Sequence, residues 1–530
     1  MTRKEDLLLL NGDEAIAQGA YDAGVALACG YPGTPSTEIL EHYAKIGGKA
    51  QWEPNEKVAL EVAIGVAFTK ARSLVTMKHV GLNVAADPLF TVAYSGITGA
   101  LVIVSADDPG MASSQNEQDN RYYAKASGCP MLEPADSQEA YDFTRLAFTL
   151  SEKYQIPVIL RITTRVCHTK GKVLRSAVSA APQTSFEYNI KQQVMVPANA
   201  RPAHKRLREK LAQIATWNET APCNTVEIAD PEMAIITCGV SYLHAKEAFP
   251  TASFFKIGMA HPLPLAAITA FREKVKRCLV IEEGEPFIAE ALRATGLTIE
   301  DKPEVYRFGE LNVERVRKIV NGDTSPDPVI PAGKPPQLCN GCPHRKSFEA
   351  LKATDCIVAG DIGCYTLAAM PPLEALHTQL CMGASIGMGL GMRQALSDNE
   401  ARRVVSVIGD STFFHSGITG LVEAVYNKPA NGHVVVILDN NTTAMTGLQE
   451  HPGTGATLTH APGNKIIIED LVRGLGITEV YVVDPLLEND RLKELLLLAR
   501  NKDEITVIIS RRSCILAAKA NARRAKKENQ

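Results

Sequence analysis

The sequence predicts an α/β protein of three domains, two of them parallel-sheet domains flanking a smaller α/β domain. Three observations carry this expectation. Apolar β-branched runs alternate with small-residue helical patterns along most of the chain, the rhythm of strands joined by crossover helices. At 530 residues the chain exceeds what one hydrophobic core can fill. The run SPDPVIPAGKPPQ at 325–337 holds five prolines, which neither continue a helix nor sit in a central strand.

The first domain is expected over 1–175, with strands in SLVTMKH (73–79), ALVIVSADD (100–108) and PVILRIT (157–163) and a helix around 137–153. Such runs, joined by helices, predict a mostly parallel sheet buried on both faces. Residues 176–230 show no strand pattern and predict a connecting segment with a charged helix near 203–217. The alternation resumes over 231–324 with MAIITCG, ASFFKIG and RCLVIEEG, three strands of a compact second domain. After the 325–337 linker, a third domain at 338–515 carries strands in DCIVAGDIG, RVVSVIGD, HVVVILDN, YVVD and EITVIIS, with helices through GASIGMGLGM and over 416–427. A basic tail, 516–530, predicts a solvated helical end.

Composition excludes some functions. A net charge of −3, with 22% charged and 45% hydrophobic residues, gives no field that would attract nucleic acid or a membrane surface. The leucine run in MTRKEDLLLLNGDEA is too short for a signal segment, and no stretch approaches the roughly 20 apolar residues that span a bilayer. A cytoplasmic location is expected. There the 12 cysteines predict thiols or metal ligands rather than disulfides, and five of them, Cys339, Cys342, Cys356, Cys364 and Cys381, fall within 43 residues.

The most informative stretch is VVSVIGDSTFFHSGITGLVEAVYNKPANGHVVVILDNNTTAMTG (404–447). One apolar strand delivers Gly409 and Asp410 to its C-terminal end, and the next delivers Asp439, Asn440 and Asn441. Both polar clusters emerge at the edge where parallel sheets bind ligands. Alone, a Gly-Asp after a strand is more often a turn with a helix cap. The second cluster, with Asn440 thirty residues after Asp410, favours a magnesium diphosphate: a hard cation held by the Asp410 carboxylate, the Asn440 amide oxygen and the Thr442 carbonyl. Gly409 would permit close backbone approach, and a helix N-terminus near Ser416 would favour the anion. The pair resembles the thiamine diphosphate motif Gly-Asp-Gly…Asn, with Ser411 in place of the third residue. Ser411 and Met445 are counted with Gly409, Asp410, Asn440 and Thr442 as cofactor-binding.

Thiamine diphosphate requires a carboxylate against its pyrimidine N1′, so a glutamate is expected in another domain. In EPNEKVALEVAIGVAF, Glu56 opens an Ala-rich helix with Gly65 nine positions later, similar to the activating glutamate of thiamine enzymes; Glu53 and Glu61 are its rivals.

The segments GYPGTPSTEIL (30–40), NEKVALEVAIG (55–65), MKHVGLNVAADP (77–88), CNGCPHR (339–345), GDIGCYTL (360–367), LCMGASIGMG (380–389), GDSTFFHSGITG (409–420) and LDNNTTAMTG (438–447) resemble indolepyruvate ferredoxin oxidoreductase alpha subunits. The resemblance implies two thiamine-diphosphate-binding-fold domains, for pyrimidine and diphosphate, around a transketolase C-terminal-like domain. It implies a smaller beta subunit and oxidation of an arylpyruvate to an aryl-acetyl-CoA, with coenzyme A as acceptor of the acyl group and ferredoxin or another electron acceptor. Thr34 matches a threonine that contacts the substrate carboxylate in related enzymes, with capping of the following helix as its alternative role. His79, at a strand end, and Arg121, beside an acidic loop, are further substrate-side candidates, with a capped strand end for the first and a surface ion pair for the second as equally open alternatives. Cys339, Cys342 and Cys364 are spaced similarly to three ligands of a [4Fe-4S] cluster, with Cys381 and Cys514 as candidates for the fourth; a zinc site or buried thiols are the alternatives. The C-terminal ferredoxin-like domain of many relatives is not expected here. The rival functions are a non-oxidative 2-oxoacid decarboxylase, a different 2-oxoacid as substrate, and a silent scaffold that keeps the fold.

Overall fold

The computed structural model describes residues 6–328 and 336–528, which divide into two compact units after Pro328. Residues 329–335, the centre of the proline-rich run, lie outside the described residues, as do the extreme ends of the first-domain and basic-tail expectations. What is described of the tail is a helix, Ile515–Glu528.

The first unit holds a seven-stranded sheet in the order Met259–His261, Met131–Leu132, Val158–Thr163, Ala100–Asp107, Arg72–Lys78, Leu27–Gly30, Ala50–Trp52. All pairs are parallel except the edge pair of Met259–His261 with Met131–Leu132. Every residue of Ala100–Asp107 is buried, as expected of a central strand covered by helices on both faces. One covering helix, Gly12–Asp22, starts in a capping box in which Asn11 accepts from the Glu14 N–H and Glu14 accepts from the Asn11 N–H. The leucine run ahead of it, Leu7–Leu10, pairs antiparallel with Gly171–Leu174 as a two-stranded ribbon. Leu7 and Leu9 face outward, which is the period-2 exposure of a strand rather than a buried core segment.

The same unit contains a five-stranded sheet in the order Glu300–Asp301, Arg277–Ile281, Asp230–Cys238, Ala252–Ile257, Thr225–Glu227. Thr225–Glu227 corrects the expectation that 176–230 carries no strand. At three residues it is too short to display a period. The charged helix of that segment runs over Pro197–Asn218, with proline at its first position.

The second unit is a five-stranded, wholly parallel sheet in the order Ile357–Ala359, Val404–Gly409, His433–Asp439, Ile505–Arg511, Glu479–Val483. Alternate residues feed two cores. Val405, Val407, Val434 and Val436 pack on one face, and Ile408, Val435, Ile437, Val507 and Ile509 on the other. The helix expected from 416 begins earlier: Asp410–Thr412 is α-helical, Phe413–Gly417 is π-helical, and Ile418–Tyr426 is α-helical again. Among the described residues, no helix is long and apolar enough to cross a membrane.

Candidate active site

In the second unit, parallel pairing puts Gly409 beside Leu438, so the residues that follow each strand leave the sheet side by side. Asp410, Asn440 and Thr442 are all buried there. The Asp410 carboxylate accepts from the Asn441 N–H at 2.7 Å, so the two strand ends are tied together across 31 residues of sequence. Burial alone would push the Asp410 carboxyl up. His451, the Ser411 N–H and Asp439 outweigh it, and its pKa lies below the ordinary carboxylate value. Asp439 moves the other way, raised first by burial and then by the negative charge of Asp410, while Arg511 binds it at 2.6 Å. An anionic Asp410 beside an amide oxygen and backbone carbonyls suits a hard cation.

At Gly409 the close neighbour is a protein side chain. A Cβ there would lie 2.9 Å from Tyr365 Cε1, and the Gly409 N–H donates to the Tyr365 hydroxyl at 3.0 Å. Helical structure begins at Asp410 itself, directly after the strand, and the Ser411 N–H donates to Asp410 Oδ1 at 2.9 Å. Ser411 is buried and shares a 2.7 Å hydrogen bond with the Thr443 hydroxyl. Met445 is exposed.

Two histidines join this cluster that the sequence expectation omitted. His344 Nε2 lies 3.1 Å from Asn440 Nδ2, and His451 Nε2 lies 3.2 Å from Asp410 Oδ2. Burial pushes the His344 pKa down to about 4, against the pull of Asp410. Its sequence signal was present: it stands two residues after Cys342, at the start of the helix Pro343–Ala353. Asp361, of GDIGC, accepts from the N–H groups of Gly383 and Ser385, each at 2.9 Å, and so caps the helix Ala384–Ala395.

The cysteines lie close to this site. The Cys514 N–H donates to the Asn440 carbonyl, and Cys342 is the N-cap of the helix that carries His344. Burial, then the neighbouring thiols Cys342, Cys514 and Cys339, push the Cys364 thiol up to about 11. Cys381 is exposed and instead feels Asp361. Among the described residues, however, no three His, Cys, Asp or Glu side chains converge closely enough to hold a metal ion. Cys339, Cys342 and Cys364 are therefore neighbours that do not close on one point.

In the first unit Glu56 is buried at the first turn of Glu56–Ala67, whose N-cap Asn55 accepts from the Val58 N–H. Gly81 makes room for it: a Cβ there would fall 2.7 Å from Glu56 Cγ and Oε1. Glu61 is exposed and paired with Lys57, and Glu53 is half-buried beside Gln51. Thr34 is half-buried in the loop after Leu27–Gly30, and the helix that follows has Ser36, not Thr34, as its N-cap. His79 is fully buried at the end of Arg72–Lys78. Its Nε2–H donates to Asn116 O at 3.1 Å, and its Nδ1 has no hydrogen-bond partner among the described residues.

Arg121 corrects the expectation of a substrate-side cation. Its side chain is 0% exposed and its donors are committed: Nε and Nη2 to Asp119, Nη1 to Glu282 at 2.5 Å, and Nη2 also to the carbonyls of Glu283 and Glu285. It sits in a buried network with Arg161, which binds Asp107 and Glu133. The expected surface ion pair is equally wrong, because Glu282 approaches from the other sheet of the same unit.

Similarity to known proteins defines the class, a thiamine-diphosphate-dependent 2-oxoacid oxidoreductase. Residues 18–219 match the family model for the thiamine-diphosphate-binding part of pyruvate flavodoxin/ferredoxin oxidoreductases, and residues 361–510 match the C-terminal TPP-binding domain of thiamine pyrophosphate enzymes. The chain is 40% identical to indolepyruvate oxidoreductase subunit IorA of Archaeoglobus fulgidus, over 98% of this chain and 88% of the relative. It is 38% identical to the subunit of the same name from Pyrococcus horikoshii, with the same coverage. The 2-oxoglutarate:ferredoxin oxidoreductase of Magnetococcus marinus superposes with a TM-score of 0.52 at 19% identity, covering 60% of this chain and 65% of that one, and so shares its fold. The chain belongs to the indolepyruvate oxidoreductase subunit IorA family.

Proposed function

We propose that this chain is the large subunit of an enzyme that oxidatively decarboxylates arylpyruvates such as indolepyruvate and phenylpyruvate, forming aryl-acetyl-CoA and reducing ferredoxin. A smaller beta subunit completes it, and it works in the cytoplasm. The observation that carries the reading is the convergence of buried, anionic Asp410 and buried Asn440 at adjacent parallel strand ends, beside a glycine pressed against Tyr365. Relatives over nearly the whole chain bear the indolepyruvate name.

In this reading Asp410, Asn440 and the Thr442 carbonyl hold Mg2+, and Gly409, Ser411 and Met445 line the cofactor. Thiamine diphosphate, when bound, supplies the carbanion and electron sink that decarboxylation of a 2-oxoacid needs. The chain's own groups do the rest. The Glu56 carboxyl shares a proton with the pyrimidine N1′. The Thr34 hydroxyl donates to the substrate carboxylate, and the buried Nδ1 of His79 is available to accept a hydrogen bond from the substrate side. Phe413 and Phe414, buried in the first turns after Asp410, exclude water. Cys339, Cys342 and Cys364, with Cys514 in preference to Cys381 as the fourth, are the proposed ligands of a [4Fe-4S] cluster. The Cys342 and Cys364 thiols are each pushed up first by burial and then in part by Cys339 and Cys514, which supports that choice. The domains are proposed as 1–175, 231–324 and 338–515, joined by 176–230 and 325–337.

A second reading, a non-oxidative decarboxylase, needs no cysteine cluster, and the unconverged thiols are the observation in its favour. Anaerobic co-purification with the small subunit decides between them, by iron and acid-labile sulfide content and by viologen reduction with arylpyruvate and coenzyme A. Cluster iron with arylpyruvate-dependent reduction supports the first reading. Iron-free protein that releases aldehyde supports the second.

A further inference from the structure

Asn440 and Asp410 each carry two candidate metal-facing atoms, and only one choice suits a cation. An amide must offer its oxygen, because its nitrogen carries two partly positive hydrogens. A carboxylate must keep a lone pair on one oxygen for the cation. Each choice is tied to one buried imidazole.

The Asn440 Oδ1 accepts from the Thr442 N–H at 3.1 Å, which places its NH2 group toward His344 Nε2 at 3.1 Å. An amide NH2 only donates, so His344 Nε2 is the acceptor and the imidazole proton resides on Nδ1. At Asp410 the roles reverse. The Gly453 N–H donates to His451 Nδ1 at 3.1 Å, so His451 carries its proton on Nε2 and donates it to Asp410 Oδ2 at 3.2 Å. Oδ2 also accepts from the Asn441 N–H at 2.7 Å. Oδ2 is thus engaged by two donors, whereas Oδ1 accepts one, the Ser411 N–H at 2.9 Å, and keeps a lone pair to offer.

Both rings are held in place. His344 is 4% exposed and lies edge-on to Tyr365, whose hydroxyl donates to Ile362 O and accepts from the Gly409 N–H. His451 is 6% exposed and tilted over Phe414, in the π-helical turn that follows Asp410. Gly453 is part of this arrangement, since a Cβ at 453 would lie 2.7 Å from Phe414 Cε2 and 3.0 Å from His451 Cε1.

We propose that His344 and His451 are positioning residues of opposite hydrogen-bonding sense: His344, as acceptor, turns the Asn440 oxygen toward Mg2+, and His451, as donor, fixes Asp410 so that Oδ1 does the same. The proposal rests on the diphosphate-site reading above and extends it to two residues outside the coordination sphere. Partners of this kind typically contribute about 10- to 100-fold in metal affinity.

The test is a Mg2+ titration of thiamine diphosphate binding by equilibrium dialysis, on the full chain, without turnover. H344M and H451M fill a similar volume but neither accept nor donate as an imidazole does; H344Q and H451Q restore an acceptor and a donor. The expected result is that each Met variant raises the half-saturating Mg2+ concentration about 10- to 100-fold and that each Gln variant recovers most of that loss. D410A is the control. If it binds the cofactor as the unaltered chain does, the diphosphate-site reading itself fails. If D410A loses binding while the Met variants bind normally, or while the Gln variants fall as far as the Met variants, the histidine proposal alone is overturned. Histidine-selective 15N NMR of the unaltered chain tests it without any variant: His344 as the Nδ1–H tautomer and His451 as the Nε2–H tautomer are expected, and the reverse assignment of either overturns its role.

Discussion

Glu283 lies 4% exposed beside the buried Arg121 and Arg161 network. Burial lifts its pKa from 4.5 to about 7, and the Glu310 and Glu133 charges add to the lift, against the opposing pull of the Leu311 N–H and Arg161. An acid raised in the folded state adds no penalty below its unfolded pKa, where both states are protonated. It costs stability progressively as pH rises from 4.5 to 7, and by a constant amount above. E283Q keeps an oxygen for the Leu311 N–H, so it should be more stable than the unaltered chain at pH 8, by on the order of 3 kcal/mol, with the gain gone at pH 4.5; urea denaturation at both pH values checks this. R121M should do the opposite. It leaves Asp119 and Glu282 buried without their cation, at a cost of about 3–5 kcal/mol, read in the same experiment at neutral pH. At this scale the sequence was legible where chemistry followed an element boundary. Asp410 and Asn440 stand directly after apolar strands, and Glu56 directly at a helix start. Arg121 was illegible because Glu282, which decides its role, is 161 residues away. His344, in the first turn of a helix, and His451, in a loop, are not legible because a single histidine carries no period, and their meaning comes only from the amide and carboxylate they meet.

The strand-turn-helix unit at 404–426 joins sheet to site. Val404–Gly409 is buried along its length, and helical structure follows without a loop, first α, then π, then α. A π-helical turn of this kind often marks a functional segment, and here it carries Phe413, Phe414 and His415. Gly409 is the weak point of the unit. G409A would place a methyl group 2.9 Å from Tyr365 Cε1 and should destabilise the second unit by about 1–3 kcal/mol, with thiamine diphosphate affinity reduced as Tyr365 is displaced; thermal melts with and without cofactor measure both. Long apolar strands were legible because a strand covered on both faces is apolar along most of its length, as in Ala100–Asp107 and His433–Asp439. Thr225–Glu227 and Met259–His261 were not, since three residues at a sheet edge bury too little to leave a pattern. The helix start was misplaced at 416 because Asp410 and Ser411, polar residues that favour turns, open the helix here.

For the molecule as a whole, the proposed activator Glu56 lies in the first compact unit and the proposed diphosphate cluster in the second. A ligand that binds only the folded chain stabilises it by mass action, so thiamine diphosphate with Mg2+ at 100 times its Kd should add about 2.7 kcal/mol. A chelator should remove that gain, and D410A should never show it. The α/β class was legible over nearly the whole chain because crossover rhythm is a property of the entire sequence. How the buried Arg121 cluster links the two sheets of the first unit was not, since those contacts join residues far apart in sequence.

The central claim is that Glu56 activates a thiamine diphosphate whose diphosphate is held through Asp410 and Asn440. The most direct test is the rate of hydrogen–deuterium exchange at C2 of bound thiamine diphosphate, followed by NMR after rapid acid quench, in the unaltered enzyme and in E56Q. The account predicts that E56Q still binds the cofactor in a Mg2+-dependent way but exchanges about 10²- to 10⁴-fold more slowly. An E56Q enzyme that binds the cofactor and exchanges at the unaltered rate would contradict it.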